Sequence, residues 1–192
     1  ATVIGKGEVV ISTIEHLLSA VYAYGIDNLR VIVDNDEVPV LDGSSSGYCM
    51  LIEEAGIKEQ EASKKALKIK KEVEVTTPEG KRVCLKPSTH IVYDFEIDFE
   101  HPVIGKQNFH FDYSISEYKE SISRARTFGF LHEVQYLRSI GLAKGGSMEN
   151  AIVLDQTKVL NPEGLRFDDE FVRHKILDAI GDMALLGYTL VG

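Results

Sequence analysis

Apolar positions recur along this chain with two different periods, and the changes of period mark its elements. In residues 169–186, Val172, Ile176, Leu177 and Ile180 return at helical spacing, which gathers them on one face of an α-helix. Residues 13–24 read as a second helix. Ser12 stands three positions before Glu15 and Gly25 closes the run, so the spacing predicts a capping box with a glycine stop. A third helix is expected over 48–55, after the turn at 43–47 and before Gly56, and shorter ones over 117–123 and 131–140. Strand-like alternation or β-prone runs occupy 9–11, 28–33, 38–41, 91–99, 108–113 and 151–154. Residues 67–75 and 81–86 flank Thr77-Pro78-Glu79-Gly80, a hairpin signature. Between the halves, 58–68 is rich in Lys, Glu, Gln, Ser and Ala and reads as a linker. Each half mixes a small sheet with helices that need its apolar face. The expected class is therefore α+β: two small two-layer sheet/helix sandwiches packed together, one over residues 1–60 and the other over 61–192.

Composition narrows the function classes. With 44% hydrophobic residues the chain of 192 has enough apolar side chains for a real core. Its formal charge of −9 argues against nucleic acid or an anionic membrane as a whole-surface partner. No apolar run reaches the length of a membrane span, and no signal peptide pattern opens the sequence. Cys49 and Cys84 lack CxxC spacing, so neither a disulfide framework nor a cysteine zinc site is expected, and a cytoplasmic setting is the simplest reading.

The candidate chemistry lies on two of the helices. His174, Asp178 and Asp182 are spaced by four and form one polar stripe. An imidazole and a carboxylate one turn apart can ligate a single cation, or they can simply hydrogen-bond on a solvated face. Glu15 and His16 open another helix. They can supply a general base beside a metal ligand, or a capping glutamate beside a surface histidine. Together the two pairs offer His, His and Asp, which leaves a fourth position on Zn²⁺ for water, the composition of a catalytic zinc site. Gly43-Ser44-Ser45-Ser46-Gly47 formally fits GxSxG, with Ser45 as a rival nucleophile or as part of a serine-rich turn. Lys144-Gly145-Gly146-Ser147 lacks Walker spacing and reads as a turn. His90, His101, His110 and His132 are expected to be surface or core residues. Arg124 and Arg126 are either surface charges or neutralisers of an anionic substrate.

Several segments, in order and over nearly the whole chain, resemble the zinc-dependent deacetylases of lipid A biosynthesis that act on UDP-3-O-acyl-N-acetylglucosamine. They are Ser12-Thr13-Ile14-Glu15-His16-Leu17-Leu18, Leu41-Asp42-Gly43-Ser44, Ser123-Arg124-Ala125-Arg126-Thr127-Phe128-Gly129-Phe130, Lys144-Gly145-Gly146-Ser147, Asn161-Pro162-Glu163-Gly164-Leu165-Arg166 and Arg173-His174-Lys175-Ile176-Leu177-Asp178. The resemblance implies an active site between the two sandwiches, with His16, His174 and Asp178 as zinc ligands and Glu15 as general base. Thr127 then stabilises the oxyanion, Lys175 contacts the substrate diphosphate, and Phe99 stacks on uracil. Asp182 orients a further histidine. The implied partner is a UDP-linked acylated amino sugar, with at most peripheral membrane contact through the acyl chain and a monomeric state for the complete protein. An insert that forms the acyl passage is expected at 142–160.

The resemblance begins partway through the first domain, and the further histidine of the family follows the strand begun at Leu190, beyond Gly192. A chain of this extent is expected to bind zinc through its three ligands and to turn over slowly or not at all. The alternative is an inert zinc- or UDP-sugar-binding fragment.

Overall fold

The structure, a computed structural model, describes residues 1–141 and 145–192, without the side chains of 137 and 138. Residues 142–144, which take in part of the expected insert and the lysine of the glycine turn, lie outside the described residues. The element order is β1 (Ile4–Lys6), β2 (Val9–Ile11), α1 (Glu15–Ala23), α2 (Ser46–Ala55), β3 (Ala66–Lys68), β4 (Val73–Thr76), β5 (Arg82–Leu85), β6 (Val92–Phe99), β7 (Gly105–Asp112), α3 (Ile115–Glu117), β8 (Phe128–Phe130), α4 (Leu131–Ser139), β9 (Ile152–Leu154), α5 (Glu170–Met183) and β10 (Thr189–Val191). A π-helical turn continues α3 over Tyr118–Ile122, and a 3-10 turn continues α5 over Ala184–Leu186. Strand pairs form small two-stranded sheets: β1–β2, β4–β5 and β6–β7 antiparallel, β3–β10 and β8–β9 parallel. The class is α+β, as the pattern predicted.

The hairpin β4–β5 turns at the expected Thr77–Gly80, where Gly80 takes the left-handed φ of +84° that the turn needs. The longest ladder pairs β6 with β7 from Val92 opposite Asp112 to Phe99 opposite Gly105. Phe111 faces inward from it and is fully buried.

Against that face lies α5, which also packs closely on α1. Ile176, Leu177 and Ile180 of α5 meet Ala20 and Ala23 of α1, Tyr48 and Cys49 of α2, and Phe111, Tyr118 and Ile122 in one core. A second cluster joins Phe171 at the start of α5 to Ile152 and Leu154 of β9 and to Ile104, with Phe99, Phe128 and Phe130 packed on it. Burying each such side chain contributes on the order of 1.5–3 kcal/mol, so α5 is the element on which both clusters depend. Its periodic apolar face made it the clearest prediction.

Two expectations need correction, and one strand was unforeseen. Residues 28–33 and 38–41 form no strand ladder among the described residues; the nearest pairing is an isolated bridge between Ser12 and Glu37, outside both runs. The capping box is also absent. Ile14 occupies the cap position without a side-chain bond, because Thr13 takes a left-handed φ of +57° and turns the chain before α1 begins. Finally, β8 is a strand that the Phe-Gly-Phe pattern did not suggest.

Candidate metal centre

The N-terminus of α1 is held by its approach. Ser12 N–H donates to the Asp36 carbonyl at 2.8 Å, Val38 N–H to the Ser12 carbonyl at 3.0 Å, and the Thr13 hydroxyl to Glu37 at 2.7 Å. A β-branched residue with positive φ carries strain of about 1–3 kcal/mol, and these bonds offset it. The outcome is that Glu15 and His16, which head α1, are both buried.

Gly181 brings the second helix to them. A Cβ on Gly181 would overlap the Glu15 carbonyl oxygen and lie 2.8 Å from its carbon, so only glycine lets α5 touch the α1 backbone here. One turn and two turns earlier on α5 stand Asp178 and His174.

The three predicted ligands converge. Asp178 Oδ1 lies 3.6 Å from His16 Nε2 and 3.3 Å from His174 Nε2, and the rings meet edge to face with centroids 5.0 Å apart. One donor atom from each of the three lies within 4.8 Å of the others. His174 Nδ1 faces the Ala125 carbonyl at 3.0 Å. A carbonyl only accepts, so that nitrogen carries the proton and Nε2 keeps its lone pair toward the site. Burial pushes the His174 imidazole down to about 4, which keeps it neutral at pH 7. Burial by itself would raise the Asp178 carboxyl, but His174, Lys175 and His16 outweigh it and hold the group well below the usual carboxylate range.

Asp178 Oδ1 and His16 Nδ1 are buried without a hydrogen-bond partner among the described residues. An anionic oxygen left unpaired in the interior costs several kcal/mol. A cation among these donors removes that cost at Oδ1, and two neutral imidazoles with one carboxylate suit Zn²⁺. The residues fit the group. The alternative of a solvated His–Asp stripe does not describe this site, because His16 and His174 are only 3% and 1% exposed.

The sequence model of the family UDP-3-O-acyl N-acetylglycosamine deacetylase matches residues 1–192. The chain belongs to this family. It is 86% identical over its whole length to the UDP-3-O-acyl-N-acetylglucosamine deacetylase of Aliarcobacter butzleri, and 67% identical to that of Nitratiruptor sp.; in each case it covers 64% of the relative. It is 59% identical to the deacetylase of Helicobacter pylori, of which it covers 65%. The chain thus spans just under two thirds of the length of these relatives.

The other residues singled out from sequence are held in different ways. Lys175 Nζ reaches Asp178 Oδ2 at 3.1 Å and stands 5.3 Å from the centre of the Phe128 ring. Thr127 is half-buried and pinned on both sides of its backbone: its N–H donates to the Gly43 carbonyl at 2.7 Å, and its carbonyl accepts from Ile152 at 2.8 Å. Phe99 packs edge-on to Phe128 at 5.7 Å and is tilted against Phe130 at 6.3 Å. Asp182 is exposed and accepts from the Thr2 hydroxyl at 2.6 Å, while the Thr2 N–H donates to Glu15 Oε2 at 2.9 Å.

Nothing in the structure favours Ser45 as a nucleophile. It is fully buried, its hydroxyl is shared with Tyr118 at 2.8 Å and reaches the Ser123 carbonyl at 3.3 Å, and among the described residues no imidazole is bonded to it. Tyr118 in turn bonds Ser19 of α1 at 2.8 Å. The GxSxG match is thus a turn tied into the core. Arg126 is likewise neither a surface charge nor a group free to meet substrate: it is 3% exposed and clasps the fully buried Glu170. Sequence reasoning passed over Glu170, yet it continues the spacing-of-four stripe one step back from His174. His101 is a core residue, its ring bonded to the Asp155 carbonyl and the Val103 N–H.

Proposed function

We propose that this chain holds the metal centre and most of the first contacts of a zinc-dependent hydrolase that removes the N-acetyl group from UDP-3-O-acyl-N-acetylglucosamine in lipid A biosynthesis. The observation that carries the reading is the convergence of His16, His174 and Asp178 around an unpaired buried carboxylate oxygen. The family match and the names of the relatives supply the substrate class. A zinc ion on these ligands supplies Lewis-acid polarisation of the acetamide carbonyl and a water of lowered pKa.

The remaining steps belong to side chains. Glu15, adjacent to His16, takes the proton of the attacking water. Thr127 donates its hydroxyl to the oxygen that gains charge as the carbonyl becomes tetrahedral, and its pinned backbone means little reorganisation at that moment. Lys175, partly exposed, neutralises a phosphate of the UDP group, and Phe99 offers a ring face to uracil. Asp182 orients the acid that protonates the departing amine. In this reading the two sandwiches divide at residues 60–61; of the expected linker 58–68, residues 58–65 are exposed and without helix or strand while 66–68 form β3, and the centre lies between α1 of one sandwich and α5 of the other. No helix among the described residues is long and apolar enough to cross a membrane. The protein is read as a cytoplasmic monomer that meets the membrane at most through the substrate's acyl chain.

The deciding experiment is metal analysis of the EDTA-washed, zinc-reconstituted chain beside His174→Ala. About one zinc per wild-type chain and none in the variant is expected. A folded wild-type chain that retains no metal would overturn the reading.

A further inference from the structure

The peptide group that joins Ala125 to Arg126 is gripped on both edges by one helix. Its carbonyl accepts from His174 Nδ1 at 3.0 Å and its N–H donates to Glu170 Oε1 at 2.9 Å. Glu170 and His174 are four apart on α5, so they project from the same face. In a trans peptide the C=O and N–H point in opposite directions. Fixing the N–H on Glu170 therefore aims the carbonyl at the histidine.

Charge closes the clamp. Arg126 Nε donates to the same Glu170 oxygen at 2.9 Å and Nη2 to the other at 3.2 Å, which also accepts the Arg166 N–H at 2.6 Å. The remaining guanidinium donors reach Glu163 Oε1 and the Gly164 carbonyl, each at 2.8 Å. Glu170 has no exposed surface, and a buried carboxylate is tolerated only with this degree of satisfaction. If the 125–126 peptide turned over, its N–H would face His174 Nδ1. The ring would then have to move its proton to Nε2, the nitrogen that faces Asp178 and His16.

We propose that Glu170, locked by Arg126, is a positioning residue for the metal centre. It orients the 125–126 peptide so that the carbonyl selects the His174 tautomer with a free Nε2, and it fixes the backbone entering Thr127. The inference deepens the zinc reading and rests on it for its consequence, although the tautomer itself does not require metal.

Two measurements test it. In the metal-free wild-type chain labelled with ¹⁵N-histidine, ring-nitrogen shifts at pH 7 should show His174 protonated on Nδ1 and bare on Nε2; the reverse pattern overturns the proposal. Removing one partner alone would leave a buried charge, so the informative variants are the double replacement Arg126→Met with Glu170→Leu, and Glu170→Gln. The double variant keeps apolar packing but loses the acceptor for the peptide N–H. It should remain folded by circular dichroism, bind zinc at least ~10-fold more weakly, and show a shifted cobalt-substituted visible spectrum. Glu170→Gln retains an amide oxygen for that N–H and should stay closer to wild type in both. A folded double variant with wild-type zinc affinity and cobalt spectrum would overturn the role of Glu170. Failure of the wild-type chain to take zinc would sink the metal reading instead, because the ring-nitrogen shifts are read without metal.

Discussion

Gly181 lies against the carbonyl of Glu15, and that backbone contact sets how closely α5 approaches α1. The proposed ligands on α5 and α1 come within reach of one ion only because no side chain stands between the helices at this level. Replacement by alanine would gain up to about 1 kcal/mol of helix propensity. The new methyl group meets backbone, which cannot rotate away, and overpacking costs roughly 1–3 kcal/mol or more. Gly181→Ala is therefore expected to lower the melting temperature and to weaken zinc binding by displacing His16 relative to Asp178. A variant with wild-type zinc affinity would show that the helix crossing is not what sets the site.

Acid should destabilise the metal-free chain over a defined window. The folded-state pKa of His174 is pushed down to about 4, against an ordinary value of 6.5. Between these values the unfolded chain binds the extra proton and the folded chain does not, so stability rises with pH there. The contribution is fully present above pH 6.5 and is lost as pH falls toward 4, amounting to about 3 kcal/mol. Asp178, also depressed, adds a loss at still lower pH. Thermal melts of wild type and His174→Gln from pH 4 to 7 should show a steeper pH dependence in wild type; equal slopes would refute the assignment.

What the sequence revealed depended on how local the signal was. The stripe His174, Asp178 and Asp182 and the apolar face of α5 are properties of one helix, so spacing alone placed them. The partnership of that stripe with His16 is a contact across more than 150 residues that depends on Gly181, and nothing in either helix announces it; the chemistry of the two pairs suggested it, and family resemblance made it specific. Glu170 and Arg126 are 44 positions apart, so a pair that is locked in the core left no local signal: Arg126 read as a surface charge or a neutraliser of substrate, and Glu170 was passed over. The Ser12–Glu15 spacing misled because φ at Thr13 is not visible in a sequence. Residues 28–33 alternate as a strand does, yet Leu29, Val31 and Ile32 are exposed. Alternation specifies a strand only when a partner edge and a covering layer are present.

The buried hydroxyl cluster gives a graded test of packing against catalysis. Tyr118 bonds both Ser19 and Ser45, whereas Ser45 retains the Ser123 carbonyl as a second partner. Tyr118→Phe should therefore cost more stability, about 1–3 kcal/mol, than Ser45→Ala, about 1 kcal/mol. Both variants should still bind zinc, and a serine-directed phosphonate should not label Ser45 in the native chain. Labelling there would revive the serine-hydrolase reading.

Adjacent residues at the head of α1 should fail in different ways. His16 faces Asp178 across the proposed ion, so His16→Ala should lose zinc and, with it, any hydrolysis. Glu15 is not among the ligands, and its Oε2 accepts the Thr2 N–H. A glutamine can keep that bond through its amide oxygen but cannot take a proton from water. Glu15→Gln should therefore bind about one zinc per chain, as the wild type is expected to. Where the wild-type chain releases acetate from UDP-3-O-acyl-N-acetylglucosamine under single-turnover conditions, the variant's rate should be lower by roughly 10²–10⁴. Loss of zinc from Glu15→Gln would make Glu15 a ligand or a structural support for the site. An unchanged rate would assign the base to another group, and in either case the division of labour between these two neighbours would have to be redrawn.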